Sequence, residues 1–156
     1  MIDIDSTDRA IIAALVQDAT QSAGQIGRRV GLSQPACWRR IKRLSEAGVL
    51  AGQRVDVDLE RVGFGVTVFL GIKLAAKGRT SIADFERAIS AIPEVQSVHH
   101  VLGLYDYRLR VVARDLGDFE RVLRRRIMTI PGVGDIESNV LLSEERLPGP
   151  LGRDAG

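Results

Sequence analysis

The sequence predicts an α+β chain in two parts: three successive helices at the N-terminus, then a βαββαβ domain. Two observations carry this. Hydrophobic spacing is helical from Asp5 to Gly48 and becomes strictly alternating at Val66. The second half also repeats itself. Asp84-Phe85-Glu86-Arg87 recurs as Asp118-Phe119-Glu120-Arg121, and Ile92-Pro93-Glu94-Val95 recurs in register as Ile130-Pro131-Gly132-Val133.

The first helix starts after Ser6 and ends near Asp18, with Ile11, Ile12 and Leu15 on one face. Ser22 begins the second, because its hydroxyl and the Gln25 amide three positions on form a capping box. This helix buries Ile26 and Val30. Gly31 supplies the positive φ that stops it, and Ser33 caps the third helix, which carries Pro35 in its first turn and ends before Gly48.

In the second half, Val66, Val68, Leu70, Ile72 and Leu74 alternate with Thr67, Phe69, Gly71 and Lys73. Tyr105, Tyr107, Leu109, Val111 and Ala113 do the same. The duplication places strands at 66 to 75, 95 to 102, 105 to 114 and 133 to 143. They form a four-stranded antiparallel ferredoxin-like sheet with both helices on one face. The uncovered face then suits a second subunit, so a homodimer is expected. Residues 1–52 form the helical domain and 53–64 a tether strand and hinge, with Val55, Val57 and Leu59 alternating against acidic residues. Residues 65–145 form the sheet domain, and 146–156 read as a disordered tail.

Charge is unevenly placed. Residues 1–54 hold eight Lys/Arg against five Asp/Glu, and the remainder fourteen against fifteen. Arg28 to Arg43 contains six basic residues and no acidic one, a stripe that reads either as a solvated face or as a phosphate-binding one. On the third helix Cys37, Ile41 and Leu44 point inward, and Arg39 and Lys42 point outward, flanked by Trp38 and Arg43. Such a helix fits the major groove of double-stranded DNA, with Ser33 and Gln34 at the end that enters first. The three helices therefore read as a helix-turn-helix, with or without a wing. Arg40 falls nearer the buried seam and takes a structural or a phosphate-contacting role.

No apolar run approaches the ~18 residues of a membrane span. The acidic start Met1-Ile2-Asp3-Ile4-Asp5 and the single Cys37 point to the cytoplasm. No metal-ligand spacing, nucleophile elbow or phosphate loop is present, so no cofactor is expected.

Ile2-Asp3 through Asp8 and Ile11, Arg29-Val30-Gly31-Leu32-Ser33, Cys37, Arg40-Ile41-Lys42-Arg43-Leu44 and Gly48-Val49-Leu50 resemble the DNA-binding half of the Lrp/AsnC transcription regulators. Gly103-Leu104-Tyr105-Asp106-Tyr107 and Ile130-Pro131-Gly132-Val133 resemble that family's sensor half. The resemblance implies dimers gathered into octamers or similar rings, and an amino acid or related metabolite bound between dimers. Carried over by position, the ligand-binding residues are Leu102, Gly103, Leu104, Tyr105 and Asp106, with Ser138 as a neighbour. The family usually has an acidic residue after that glycine and often a small hydroxyl residue before it. Leu104 and Leu102 stand there instead, which implies a more apolar or bulkier ligand, or altered sensing. Asp106 reads equally as a ligand contact and as a turn residue capping strand backbone. The competing reading is an enzyme, a sirohaem-type tetrapyrrole decarboxylase on the same architecture, with His99 or His100 as the general acid or base. Adjacent strand residues face opposite sides, so at most one of them serves a given pocket.

Overall fold

The computed structural model describes residues 2–75, 82–145, 147 and 149–152. The chain divides into two compact units, residues 1–56 with 145–156, and residues 57–144.

In the first unit, helices α1 (Ser6–Gln17), α2 (Ala23–Val30) and α3 (Gln34–Glu46) enclose a core of Ile11, Ile12, Ala14, Ile26, Cys37 and Leu44. Each N-terminus is closed by the side chain that caps it. Asp5 and Asp8 form a reciprocal capping box on α1, and Ser22 and Gln25 form another on α2. Ser33 Oγ accepts from the Ala36 N–H at 3.4 Å on α3. Gly31, with φ 73°, turns the chain between α2 and α3, where the Leu32 N–H donates to Gly27 O at 2.8 Å. Gly27 is buried within α2 against this turn, and a Cβ there would lie 2.7 Å from the Leu32 carbonyl oxygen. Only glycine lets the two helices close this tightly.

No strand follows α3 before β1 among the described residues, so the helix-turn-helix has no wing. The predicted tether strand is likewise not a strand in this chain. Residues 51–58 are irregular and 59–63 form a turn, because alternation alone gives no ladder without a neighbouring backbone to pair with. Val55 is 89% exposed. The tail also departs from expectation. Gly149–Gly152 forms a short helix against α1, where Pro150 and Leu151 line a cleft with Ala10, Ala13 and Val30. The rest of the stretch predicted to be disordered, apart from residues 147 and 149–152, lies outside the described residues.

The second unit holds strands β1 (Val66–Leu74), β2 (Val95–His100), β3 (Tyr107–Ala113) and β4 (Val133–Val140) in the order β2-β3-β1-β4, all neighbours antiparallel. Helices α4 (Ile82–Ser90) and α5 (Leu116–Val122) supply Phe85, Ile89, Phe119 and Val122 to a core with Val68, Leu70, Ile72, Tyr107, Leu109 and Val111. The repeated tetrapeptide does the same work in both copies. Its Phe is buried, and its Asp and Arg pair at 2.9 Å in α4 and 2.7 Å in α5. The copies diverge after α5, which continues as a π-helical turn over Leu123–Ile127, with Met128 N–H bonded to Leu123 O. An α-helix would rotate residues five apart onto different sides. The wider turn lets Val122 and Ile127 share the core.

All four strands are shorter than expected: β1 ends at Leu74 and β4 at Val140, and the largest change lies between β2 and β3. β2 stops at His100 and β3 begins at Tyr107, so Tyr105 and Asp106 belong to the intervening turn. Tyr105 matches the alternation of the strand, but its ring leaves the core and lies over Gly71.

Candidate DNA-reading helix and effector turn

Helix α3 presents its predicted outer face. Arg39 is exposed and makes no ion pair among the described residues. Lys42 Nζ lies 5.3 Å from the centroid of the Trp38 ring, and 3.7 Å from Glu46 Oε1. Trp38 itself is 54% exposed, while Cys37 and Leu44 on the opposite side are fully buried. Burial pushes the Cys37 thiol pKa up, which keeps it protonated. Gln34 is exposed at the start of the helix, its side chain lying along Gly24 of α2. Ser33 is occupied as the cap.

Arg40 and Arg43 are placed differently. Arg40 Nη1 bonds Asp5 Oδ2 at 2.7 Å and Asp8 Oδ1 at 2.9 Å, and Arg43 Nη2 bonds Asp8 Oδ2. The Asp8 side chain is 0% exposed. Both arginines thus pair with acids at the start of α1, and the Arg43 side chain remains 47% exposed beside the outer face. The Asp8 backbone N–H, and then Arg40, hold the Asp5 carboxyl below its usual range.

In the second unit the turn between β2 and β3 arches over one end of the sheet. Leu102 and Leu104 project into solvent, and nothing lies within 4 Å of a Cβ built on Gly103. Asp106 is built into the turn. Its N–H donates to Ile72 O at 2.9 Å, its carbonyl accepts from Val101 N–H at 2.9 Å, and its Oδ2 accepts from Leu74 N–H at 2.8 Å. The carboxylate thus stands in for a strand carbonyl at the end of β1, which is the turn-residue reading of the sequence. Asp106→Ala leaves the Leu74 N–H without its partner, and a loss of about 1–3 kcal/mol is expected in urea unfolding of the second unit. A midpoint equal to wild type would show that the bond contributes nothing.

Tyr105 lies on the sheet face that the helices leave uncovered. Gly71 of β1 pairs with Arg108 of β3 and with Glu137 of β4, so these three form a row on one face. The Tyr105 ring covers Gly71, where a Cβ would come within 2.7 Å of it. Its hydroxyl donates to Glu137 Oε2, and the Arg108 guanidinium carbon is 4.8 Å from its centroid. Asn139 Nδ2 donates to the other Glu137 oxygen at 2.7 Å. The Asn139 bond, then that from Tyr105, lowers the Glu137 pKa, and the bond to Glu137 raises that of Tyr105.

Ser138 is not in this group. It pairs with Leu70, whose side chain is buried beneath the helices, so Ser138 belongs to the other face. Ser138, named from the resemblance, stands one residue from Glu137, and a single step along a strand changes face. Glu137 and Arg108 were missed, although pairing each strand's charged positions across Gly71 points to both.

His99 and His100 are split between faces. His99 pairs with Arg108, while His100 pairs with Tyr107 and stacks on its ring at 4.8 Å. Tyr107 donates to Glu86 Oε1 at 2.7 Å, and burial first, then this bond, pushes its pKa up to about 12. Tyr107 is therefore expected to stay protonated in the folded protein through pH 10, as followed by absorbance near 295 nm in a Tyr105→Phe background, where it is the one remaining tyrosine. Because the folded Tyr107 pKa is raised, its contribution to stability is complete below pH 10 and declines as pH rises from 10 through about 12. A tyrosinate step centred near pH 10 before unfolding would contradict this.

Two family descriptions match the chain, an AsnC-type helix-turn-helix domain over residues 4–45 and an Lrp/AsnC ligand-binding domain over residues 67–148. The transcriptional regulator AzlB of Bacillus subtilis is 32% identical over 145 residues, covering 93% of this chain and 92% of its own length. The DNA-binding transcriptional activator DecR of Escherichia coli is 31% identical, covering 90% and 93%. Among solved structures, a transcriptional regulator of Neisseria meningitidis in complex with L-Met superposes with a TM-score of 0.88 at 27% identity, over 93% of this chain and 94% of that one. Escherichia coli AsnC gives 0.79 at 26% identity, over 94% and 97%. With both halves matched in order and nearly the full length of these relatives covered, the chain belongs to the Lrp/AsnC family of transcriptional regulators.

Proposed function

We propose that α3 reads double-stranded DNA through Arg39 and Lys42, with Gln34 and Trp38 beside them, and that a small effector at the Leu102–Asp106 turn alters the affinity. The observation that carries the first part is the pair of outward cations directly opposite the buried Cys37 and Leu44. Guanidinium and ammonium groups on an exposed helix face match base edges and phosphates in the major groove. Relatives named as DNA-binding activators and regulators support this reading.

The effector is of the amino-acid class, a reading supported by the methionine bound to the neisserial relative. At the turn Leu102 and Leu104 offer apolar contact and Tyr105, Glu137 and Arg108 offer polar contact. Asp106 contributes by shaping the turn. The protein works in the cytoplasm as a dimer built on the uncovered sheet face, from which larger rings assemble. That face displays Phe69 at 38% exposure, paired with Arg110 on β3 and Asn139 on β4. A strictly monomeric protein in sedimentation would argue against the assembly. No observation favours the decarboxylase: its two candidate histidines face opposite sides of the sheet, and the relatives are named as regulators.

The test is a titration of the duplex upstream of the protein's own gene, repeated with each proteinogenic amino acid at millimolar concentration. At least one amino acid is expected to shift the midpoint. Binding that none of them alters would refute amino-acid sensing and leave the DNA reading intact.

A further inference from the structure

The basic stripe from Arg28 to Arg43 contains six cations, but they are not equally available. Arg39 points outward and is unpaired among the described residues, and Lys42 is 55% exposed with only a loose contact to Glu46. Arg40 and Arg43 converge instead on one carboxylate, Asp8, whose side chain has no exposed surface, and Arg40 also bonds Asp5. Both acids sit at the start of α1, where the capping box fixes them to backbone N–H groups.

This arrangement differs from an ordinary surface ion pair, in which two mobile side chains meet at little net gain. The Asp8 charge is buried and immobile. Removing its partners would leave a carboxylate unpaired away from water, a costly state. The two arginines are therefore held on α1, and their positions fix the roll of α3 about its axis. Phosphate contacts strengthen binding to every sequence alike, whereas base contacts discriminate.

We propose that Asp8 is a positioning and specificity-determining residue, which withholds Arg40 and Arg43 from the DNA backbone and aims the Arg39 and Lys42 face at the groove. The proposal rests on the reading of α3 as the DNA-contacting helix. It makes the buried acid a device that lowers non-specific binding more than specific binding.

The experiment measures affinity for the upstream duplex and for a scrambled duplex across a salt series, using the full chain. Asp8→Asn frees Arg43 and leaves Arg40 with Asp5 alone. The expected result is a steeper salt dependence, by about 0.9 in slope for each cation that newly reaches a phosphate, with a smaller ratio of specific to non-specific affinity. Arg40→Gln/Arg43→Gln, which removes the same cations, is expected to leave the slope at its wild-type value. The proposal is overturned if Asp8→Asn weakens binding without steepening the slope, since a purely structural loss behaves that way. It is equally overturned if the arginine variant lowers the slope, because those side chains would then be on phosphate already. Should either variant fold poorly, Arg43→Gln alone, which leaves Asp8 paired with Arg40, decides: a slope at the wild-type value supports the proposal and a lowered one overturns it. Arg39→Ala/Lys42→Ala in the same series separates the two ideas. An unchanged affinity and slope there refutes the reading of α3 itself. A lowered slope keeps that reading, and the Asp8 and arginine variants then support or overturn the positioning role on their own.

Discussion

Replacing Arg39 and Lys42 together by alanine is expected to weaken binding to the upstream duplex by roughly 30-fold or more, from the ~1–3 kcal/mol that a base-contacting Arg supplies and the phosphate charge lost with Lys42. The same variant should unfold within about 0.5 kcal/mol of wild type, as exposed positions usually do. Both side chains lie on the exposed face of α3, and neither contributes to the Ile11, Ile26, Cys37 and Leu44 core. Fluorescence anisotropy and thermal melting check the two halves of this expectation. Intact affinity in a folded variant would mean that another surface touches DNA.

Gly27→Ala is expected to destabilise the helical unit by about 1–3 kcal/mol, the usual range for forcing extra volume into a packed site. The sign is what makes the test informative. Glycine inside a helix ordinarily costs ~0.5–1 kcal/mol relative to alanine, so the substitution would be stabilising at an open position. Here the new Cβ would meet the Leu32 carbonyl oxygen at 2.7 Å, and that atom belongs to the backbone of the turn that sets α3 against α2. Relief requires moving the turn, and with it the outward face of α3. For a unit of this size each kcal/mol corresponds to ~4–8 °C in melting temperature. A melting temperature at or above wild type would show that the turn has room that its geometry does not suggest.

Legibility in the sequence followed the range of the interactions. Capping and helix termination depend on residues three or four apart, so Ser22 with Gln25, Ser33 and Gly31 appeared from spacing alone and recur in the structure. The four-stranded sheet was legible because the chain writes its strand-helix unit twice, with Phe85 and Phe119 buried in matching places. Interactions across 30 or more residues were not legible. Spacing placed Arg40 nearer the buried seam, but the acids that hold Arg40 and Arg43 arrive from the start of α1 only when the fold closes. Tyr105 kept the alternation of β3 yet lies in the turn over Gly71, since a twofold pattern continues across a bend without marking it. Ser138 and Glu137 differ by one position and by a face of the sheet, a distinction that requires the register of β1 with β4.

The central claim, that this chain binds specific DNA through α3, is tested most directly by anisotropy of the upstream duplex against a scrambled one at several salt concentrations. Tighter binding to the upstream duplex is expected, with log affinity falling linearly against log salt. Absence of binding to either duplex at low salt, with a panel of amino acids present, would contradict it.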